Sequence, residues 1–190
     1  MLNIAFKEWA LICRALAEGR QALILRKGGV AEVGGEFRPE HDRFWLYPTF
    51  VHELRAAVKP AVRTLFDRVL SERPDSGKVR LTHFAEVRTV YCVRRWELVA
   101  SLDNLHVWTE ETVRTKFNYR KPELFTLPVR VFAVRKPLEF SETEAYAGCK
   151  TWVQLDHELP TEGATPVLDD GRFESFLDEL DRRLNPVMFA

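Results

Sequence analysis

Two short apolar runs, Leu23-Ile24-Leu25 and Phe44-Trp45-Leu46-Tyr47, flank two glycine pairs, Gly28-Gly29 and Gly34-Gly35. No other part of the sequence constrains the fold as strongly. Runs this short, bounded by glycine and proline, suit buried strands rather than helices. The first spans Gln21 to Arg26, and the second spans Arg43 to Tyr47 and stops at Pro48. Paired glycines admit positive φ, so a hairpin or bulged turn is expected around Val30–Val33, with Gly28 or Gly29 in the left-handed region. Arginines, His41 and His52 crowd the same stretch, as they would at a pocket edge or in tight β-structure.

Periodicity sets the remaining elements. Ala5, Trp9, Ile12 and Leu16 fall at helical spacing before Gly19, which predicts an amphipathic helix over 3–18 with a glycine cap. Leu54, Val58, Ala61, Leu65 and Val69 predict a second helix over 51–72, kinked or restarted at Pro60. Leu81 to Val93 reads as a long strand, Trp96 to Leu102 as a short helix, and Leu105 to Trp108 as a short strand. Thr109, followed by Glu110 and Glu111, is a good N-cap for a helix running to Phe117. Strict alternation makes Leu127 to Arg135 a strand, closed by Pro137. Ser141 and Glu144 suit a capping box before a helical turn ending near Gly148. Thr151 to Leu155 is the last strand, 160–171 is loop, and 172–184 is a final amphipathic helix.

This order lacks the βαβ alternation of a doubly wound fold. It predicts an α+β protein with a curved mixed or antiparallel sheet flanked by helices and an acidic amphipathic helix at the C-terminal end. A chain of 190 residues, 46 % of them hydrophobic, suits one domain: a core over 1–158, then a loop and helix over 159–190.

Composition excludes several functions. Cys13, Cys92 and Cys149 are scattered and form no CxxC, which argues against a disulfide framework or a zinc site and for a reducing, cytoplasmic compartment. No apolar run approaches the roughly 18 residues that a membrane span needs. No cofactor motif occurs, since the glycine pairs are not followed by GxxxxGK[ST]. No GxSxG occurs, and no cysteine has a histidine near it in sequence.

The net charge is zero but unevenly spread. Residues 78–136 hold 12 Lys/Arg against 6 Asp/Glu, and residues 137–190 hold 4 against 12. A basic middle beside an acidic tail permits anion binding on one face, or neutralisation when the tail packs on the middle.

The candidate anion or nucleic-acid site combines Arg26 and Lys27 with Gly28 and Gly29, where freed backbone N–H groups and two cations form a cradle. A second basic segment bears Arg114, Lys116, Arg120 and Lys121 among Trp108, Phe117 and Tyr119. Nucleic-acid faces use this mixture, with aromatics stacking bases and cations holding phosphates. His41, His52 and Glu36 are cleft candidates; their spacing sets no metal geometry. For a nuclease, the nearest acid-plus-base pattern is Glu86-Val87-Arg88, in which arginine cannot serve as a base, or Glu32 or Glu36 with Lys27.

The series Gly19-Arg20-Gln21-Ala22-Leu23-Ile24-Leu25-Arg26-Lys27-Gly28-Gly29, Phe44 to His52, His106-Val107-Trp108-Thr109 and Gly148 to Leu155 resembles the bacterial family catalogued as domain of unknown function 1802, over residues 5 to about 155. That resemblance brings no activity. The segment from Gly19 to Arg26 also resembles the Gly-x-Lys-x-x-Glu-x-Arg motif of activating-signal-cointegrator homology domains, which are PUA-like barrels, many of them binders of RNA or modified nucleotides. Gln21 and Ile24 replace the Lys and Glu, so this second resemblance implies only Arg26, as an anion or base contact. The expected function is a nucleic-acid or nucleotide-binding module. Two alternatives stand beside it. One is a protein-interaction or structural domain whose C-terminal helix docks on its own basic face or on a partner. The other is a hydrolase or nuclease at His41, His52 and Glu36.

Overall fold

The computed structural model describes residues 1–28, 30–33, 36–51, 53–148 and 150–185, with backbone alone at 30–33 and 36–38. Its frame is a mixed sheet in the order β10-β8-β6-β5-β1-β9. The strands are β1 (Leu2–Trp9), β5 (Arg43–Thr49), β6 (Lys78–Val87), β8 (Leu124–Ser141), β9 (Trp152–Leu159) and β10 (Thr165–Pro166). Two more strands, β2 (Leu23–Arg26) and β7 (Tyr91–Val93), pair with the first part of β8. A separate hairpin joins β3 (Val30–Val33) to β4 (Glu36–Pro39). The pair β1/β5 is parallel, with Lys7 opposite Tyr47 and Trp9 opposite Thr49; the other pairings are antiparallel.

β8 is 18 residues long and pairs with β6 from Val129 to Ser141, with a register shift between Leu81 and His83. Strands twist, and a bulge sharpens the twist, so a strand this long curves and can serve two groups of neighbours. The sheet is therefore curved and mixed, flanked by helices: the α+β class expected from the element order.

Side chains alternate between two cores, as a period of two requires. Phe6, Phe44 and Leu46 face the larger core, shared with α1 (Ala10–Ala17), α2 (Arg63–Ser71), α4 (Glu110–Asn118) and α5 (Asp170–Leu184). Ala5, Trp45, Tyr47 and Phe84 face a smaller one. α3 (Trp96–Ala100) packs beside α4 and α5.

Several local expectations need correction. Residues 3–18 are not one helix: 2–9 form β1, and only 10–17 are helical. The helical spacing of Ala5 and Trp9 coincides with an alternation that buries Ala5 in one core and Phe6 in the other, and pairing with both β5 and β9 decides between them. The 51–72 segment holds two 3₁₀ turns, Arg55–Ala57 and Pro60–Val62, before α2, so Pro60 opens a fresh start. The long strand expected over 81–93 is divided into β6 and β7. Leu105–Trp108 supplies a single bridge, Val58 to Trp108; Ser141 ends β8, and the helical turn expected after it is a turn at 144–146. Gly28 is not left-handed, and Gly29 lies outside the described residues. Thr109 does cap α4, accepting from Thr112 N at 3.3 Å, and Asp169 caps α5, accepting from Arg172 N at 2.8 Å.

α5 spends its apolar face on its own chain, burying Phe173, Leu180 and Leu184. Arg130 pairs with Asp170, and Arg183 donates to Ser101 O and to Asn104 Oδ1 at 2.6 Å. Among the described residues no helix is long and apolar enough to cross a membrane.

Candidate anion-binding cleft

The parallel pair β1/β5 ends where both strands turn away, and a cleft of about 590 Å³ opens there. Its walls come from the ends of β1, β2 and β5, from Lys116 on α4, from the 73–80 segment and from Ala147, Gly148, Lys150 and Thr151. Seven Lys or Arg side chains line it against three carboxylates, together with Trp9, Tyr47 and Phe50. The summed field of such a lining favours an anion.

Arg26 closes one side. Its guanidinium donates to Glu8 Oε2 at 3.3 Å, to Lys7 O at 3.4 Å and to Thr151 Oγ1 at 2.9 Å, and lies 4.7 Å from the Phe6 ring centroid. Glu8 is only 6 % exposed, and its Oε1 accepts from Trp9 N at 2.9 Å. Arg26 is thus partly committed to a buried carboxylate. Lys116 stands nearby. Its Nζ lies 4.6 Å from the Trp108 ring centroid, and among the described residues it has neither a carboxylate within ion-pair distance nor a hydrogen-bond acceptor. Burial pulls its pKa below the usual lysine range; Glu8 pulls it back, and the charge of Arg26 adds to the lowering. Trp9 meets Trp108 edge to face at 4.8 Å and fixes the surface under that ammonium.

Lys7 donates to Tyr146 O and to Gly148 O at 3.2 Å and lies 5.3 Å from the Tyr47 ring centroid. Tyr47 in turn donates to Glu142 Oε1 at 2.8 Å; burial first, then Glu142, raises its pKa well above the ordinary phenol value. Behind the cleft, Glu53 Oε1 accepts from Leu11 N at 3.4 Å at the start of α1. Burial pushes the Glu53 carboxyl up to about 7, against the pull of the Leu11 and Ala10 N–H groups and with help from Glu8. The Cys13 thiol is buried, and burial, then Glu8 and Glu53, raises its pKa, so it stays protonated and a poor nucleophile.

The cations expected to act together are divided. Arg26 and Lys116 stand in the walls of one cleft. Lys27 instead donates to three carbonyls around the end of α4, those of Phe117, Lys121 and Glu123, at 3.3, 2.5 and 2.7 Å. Arg114 pairs with Glu110 and covers the Trp96 ring at 4.0 Å. Lys121 pairs with Glu123 at 3.1 Å, and Arg120, at φ 62°, lies 5.0 Å from the Tyr119 ring centroid. None of these four, nor Gly28, lines the cleft. His41 lies off the cleft too, edge-on to Trp152 at 5.1 Å and 4.0 Å from Glu40. His52 and the side chain of Glu36 lie outside the described residues. Among the described residues no group of three His, Cys, Asp or Glu side chains has metal-ligand spacing.

Sequence reading passed over Lys7, Glu8, Lys78 and Thr151. Lys7 and Glu8 were hidden by the expectation of a helix over 3–18; recognising β1 would have set them opposite Tyr47 and Pro48.

An α+β domain with a basic cleft at the ends of a parallel strand pair is the class that fold and geometry define. The chain belongs to the family described as domain of unknown function DUF1802, whose model matches residues 5–179. No curated protein matches it. Among solved structures it is similar to ASCH from Zymomonas mobilis, at 12 % identity and a TM-score of 0.43, covering 92 % of this chain and 93 % of that one. Two mutant forms of the same Zymomonas mobilis protein align at TM-scores of 0.41 and 0.42, with 10 % and 12 % identity; they cover 92 % and 93 % of this chain and 96 % and 94 % of theirs.

Proposed function

We propose that the protein binds a phosphate-bearing ligand, single-stranded RNA or a nucleotide, in the cleft between Arg26 and Lys116. The observation that supports this reading is Lys116. An ammonium group drawn partly out of water, with no carboxylate partner among the described residues, is held at a cost. An anion entering the cleft removes that cost, because a desolvated opposite charge favours the protonated amine. The surrounding lining is basic, and Trp9, Tyr47 and Phe50 offer flat surfaces to bases. The reading fits a cytoplasmic protein meeting cellular RNA. It invokes binding alone: the buried Glu8 is occupied by Arg26, and Cys13 is held protonated.

The test is equilibrium binding of a single-stranded RNA oligonucleotide to the wild type, Lys116→Met and Lys121→Met. Methionine keeps the packing over Trp108 and removes the charge. Lys116→Met should weaken binding while Lys121→Met, whose ammonium is exposed and already paired with Glu123, leaves it nearly unchanged. Failure of the wild type at low salt to bind either the RNA or a nucleoside monophosphate would overturn the reading.

A further inference from the structure

A second cavity, of about 360 Å³, adjoins the basic cleft. It lies between α1, α2, β5 and β6, and Pro48, Phe50, Pro74 and Arg80 stand in the walls of both cavities. The two cavities meet at these side chains. The two differ sharply in character. The smaller chamber is floored by Ala10, Ala17, Leu46 and Val69, and its charged groups are already matched: Arg14 pairs with Glu72 and with Glu18 at 3.9 Å, and Arg80 with Glu139 at 3.0 Å. It offers an anion nothing that these carboxylates have not taken.

The chamber's remaining polar feature suits a ring with hydrogen-bonding edges. His83 lines it, and Nδ1 of His83 lies 2.8 Å from Thr82 Oγ1. Burial, and then the charge of Arg14, pushes the imidazole down to about 4, so it is neutral at physiological pH. Its Nε2 has no partner among the described residues, and a neutral imidazole nitrogen can donate or accept as the tautomer dictates. Phe50 stands at the boundary, with the Arg73 guanidinium 5.2 Å from its ring centroid. Phe50 lines both cavities, and an aromatic ring in a pocket wall is a surface on which a flat base stacks.

We propose that the two cavities form one bipartite site for a nucleotide, with the phosphate held by Arg26 and Lys116 and the base seated in the apolar chamber beside Phe50 and His83. This rests on the phosphate reading above and narrows it. The recognised unit is a single nucleotide, free or at the 5′-phosphorylated end of RNA, rather than an unbroken run of backbone. Both cavities fall in the size range of small-ligand sites, roughly 300–1,000 Å³. An aliphatic acid would also satisfy an apolar chamber and a basic cleft, but it would leave His83 Nε2 without a partner.

Calorimetry on the wild-type protein makes the first separation. Adenosine 5′-monophosphate should bind about 5- to 150-fold tighter than ribose 5-phosphate, since base stacking of this kind is worth roughly 1–3 kcal/mol. A 5′-phosphorylated trinucleotide should match or exceed the mononucleotide. The imidazole proton signal of His83, assigned by its loss in His83→Asn, should shift with adenosine monophosphate and stay still with ribose 5-phosphate. Ala17→Phe, which narrows the chamber from the half-buried end of α1, should abolish the preference for the base and leave ribose 5-phosphate affinity intact. Equal affinity of the two phosphates, a still His83 signal, or tighter binding of octanoate than of the nucleotide would each overturn the bipartite site. RNA retention that depends on Lys116 but shows no such preference would overturn it while leaving the phosphate reading in place.

Discussion

Arg26 is asked to do two things at once. It neutralises Glu8, which is 6 % exposed, and it faces the cleft with its own side chain 20 % exposed. Removing one partner of a buried ion pair leaves the other charge stranded, at a cost of roughly 3–5 kcal/mol for full burial; the residual exposure of Arg26 brings the expectation to about 2–3 kcal/mol. Arg26→Ala should therefore lower the denaturation midpoint, and adding Glu8→Gln should recover most of the loss. An unchanged midpoint for Arg26→Ala would show that the pair is not structural. Lys116→Met, by contrast, removes a charge that burial disfavours and should leave the midpoint unchanged or raise it. Histidines add a pH dependence. His83 and His106 are both pushed from 6.5 to about 4, chiefly by burial. Their stabilisation is complete above 6.5 and is lost as pH falls through 4, because the unfolded chain takes up the protons first. Glu53, raised from 4.5 to about 7, acts in the opposite sense and loses its contribution as pH rises through 7. Between pH 4.5 and 6.5 two groups outweigh one, so stability should rise with pH. His106→Gln removes one of the two, and its stability should be nearly flat across that window in denaturant titrations; a slope equal to that of the wild type would contradict the assignment.

Among the elements, α1 owes its end to the glycine beyond it. Gly19 sits at φ +65° as the helix stops, with Arg20 N donating to Ala15 O at 2.9 Å and Gly19 N to Leu16 O at 3.1 Å. A Cβ at Gly19 would lie 3.0 Å from Leu168 Cδ2, so strain and contact act together. Gly19→Ala should cost about 1–2 kcal/mol, read as a lower melting temperature; a neutral result would contradict the left-handed cap. That glycine was legible in the sequence, as were the Thr109 cap, α5 and the alternation of β8, because each is written in residues a few positions apart. β1 was not legible. Its partners, β5 and β9, lie about 40 and about 150 positions away, and its apolar spacing fits a helix equally well until those partners are known. The candidate site divides along the same line. Arg26 stood out as a cation ahead of a glycine pair, and Lys116 as a cation among aromatics. That Lys27 would be drawn onto the carbonyls at the end of α4, 90 to 96 residues on, was not readable from its neighbours, because no local pattern encodes that contact. Lys7 and Glu8 fell inside the stretch 3–18 expected to be helical, which set them in the wrong element.

Over the whole molecule, zero net charge conceals a basic cleft and an acidic final helix that stand apart. No cleft-lining residue belongs to α5, and the basic contact α5 makes is with Arg130 on β8. α5 therefore contributes no carboxylate to the cleft walls. Neutralising exposed acids on α5, with Glu174→Gln and Asp178→Asn, should change RNA affinity by less than about threefold, because screening at physiological salt removes most of an interaction beyond a Debye length of roughly 8 Å. A tenfold tightening would restore the masking idea. The central claim is that the cleft holds phosphate through Lys116 and its basic neighbours. Its most direct test is the slope of log K against log salt concentration for single-stranded RNA, measured for the wild type and Lys116→Met. Removing one phosphate contact should flatten that line by about 0.7. The account predicts a shallower slope and weaker binding for Lys116→Met, with melting temperature maintained. Identical slopes for the two proteins would contradict it.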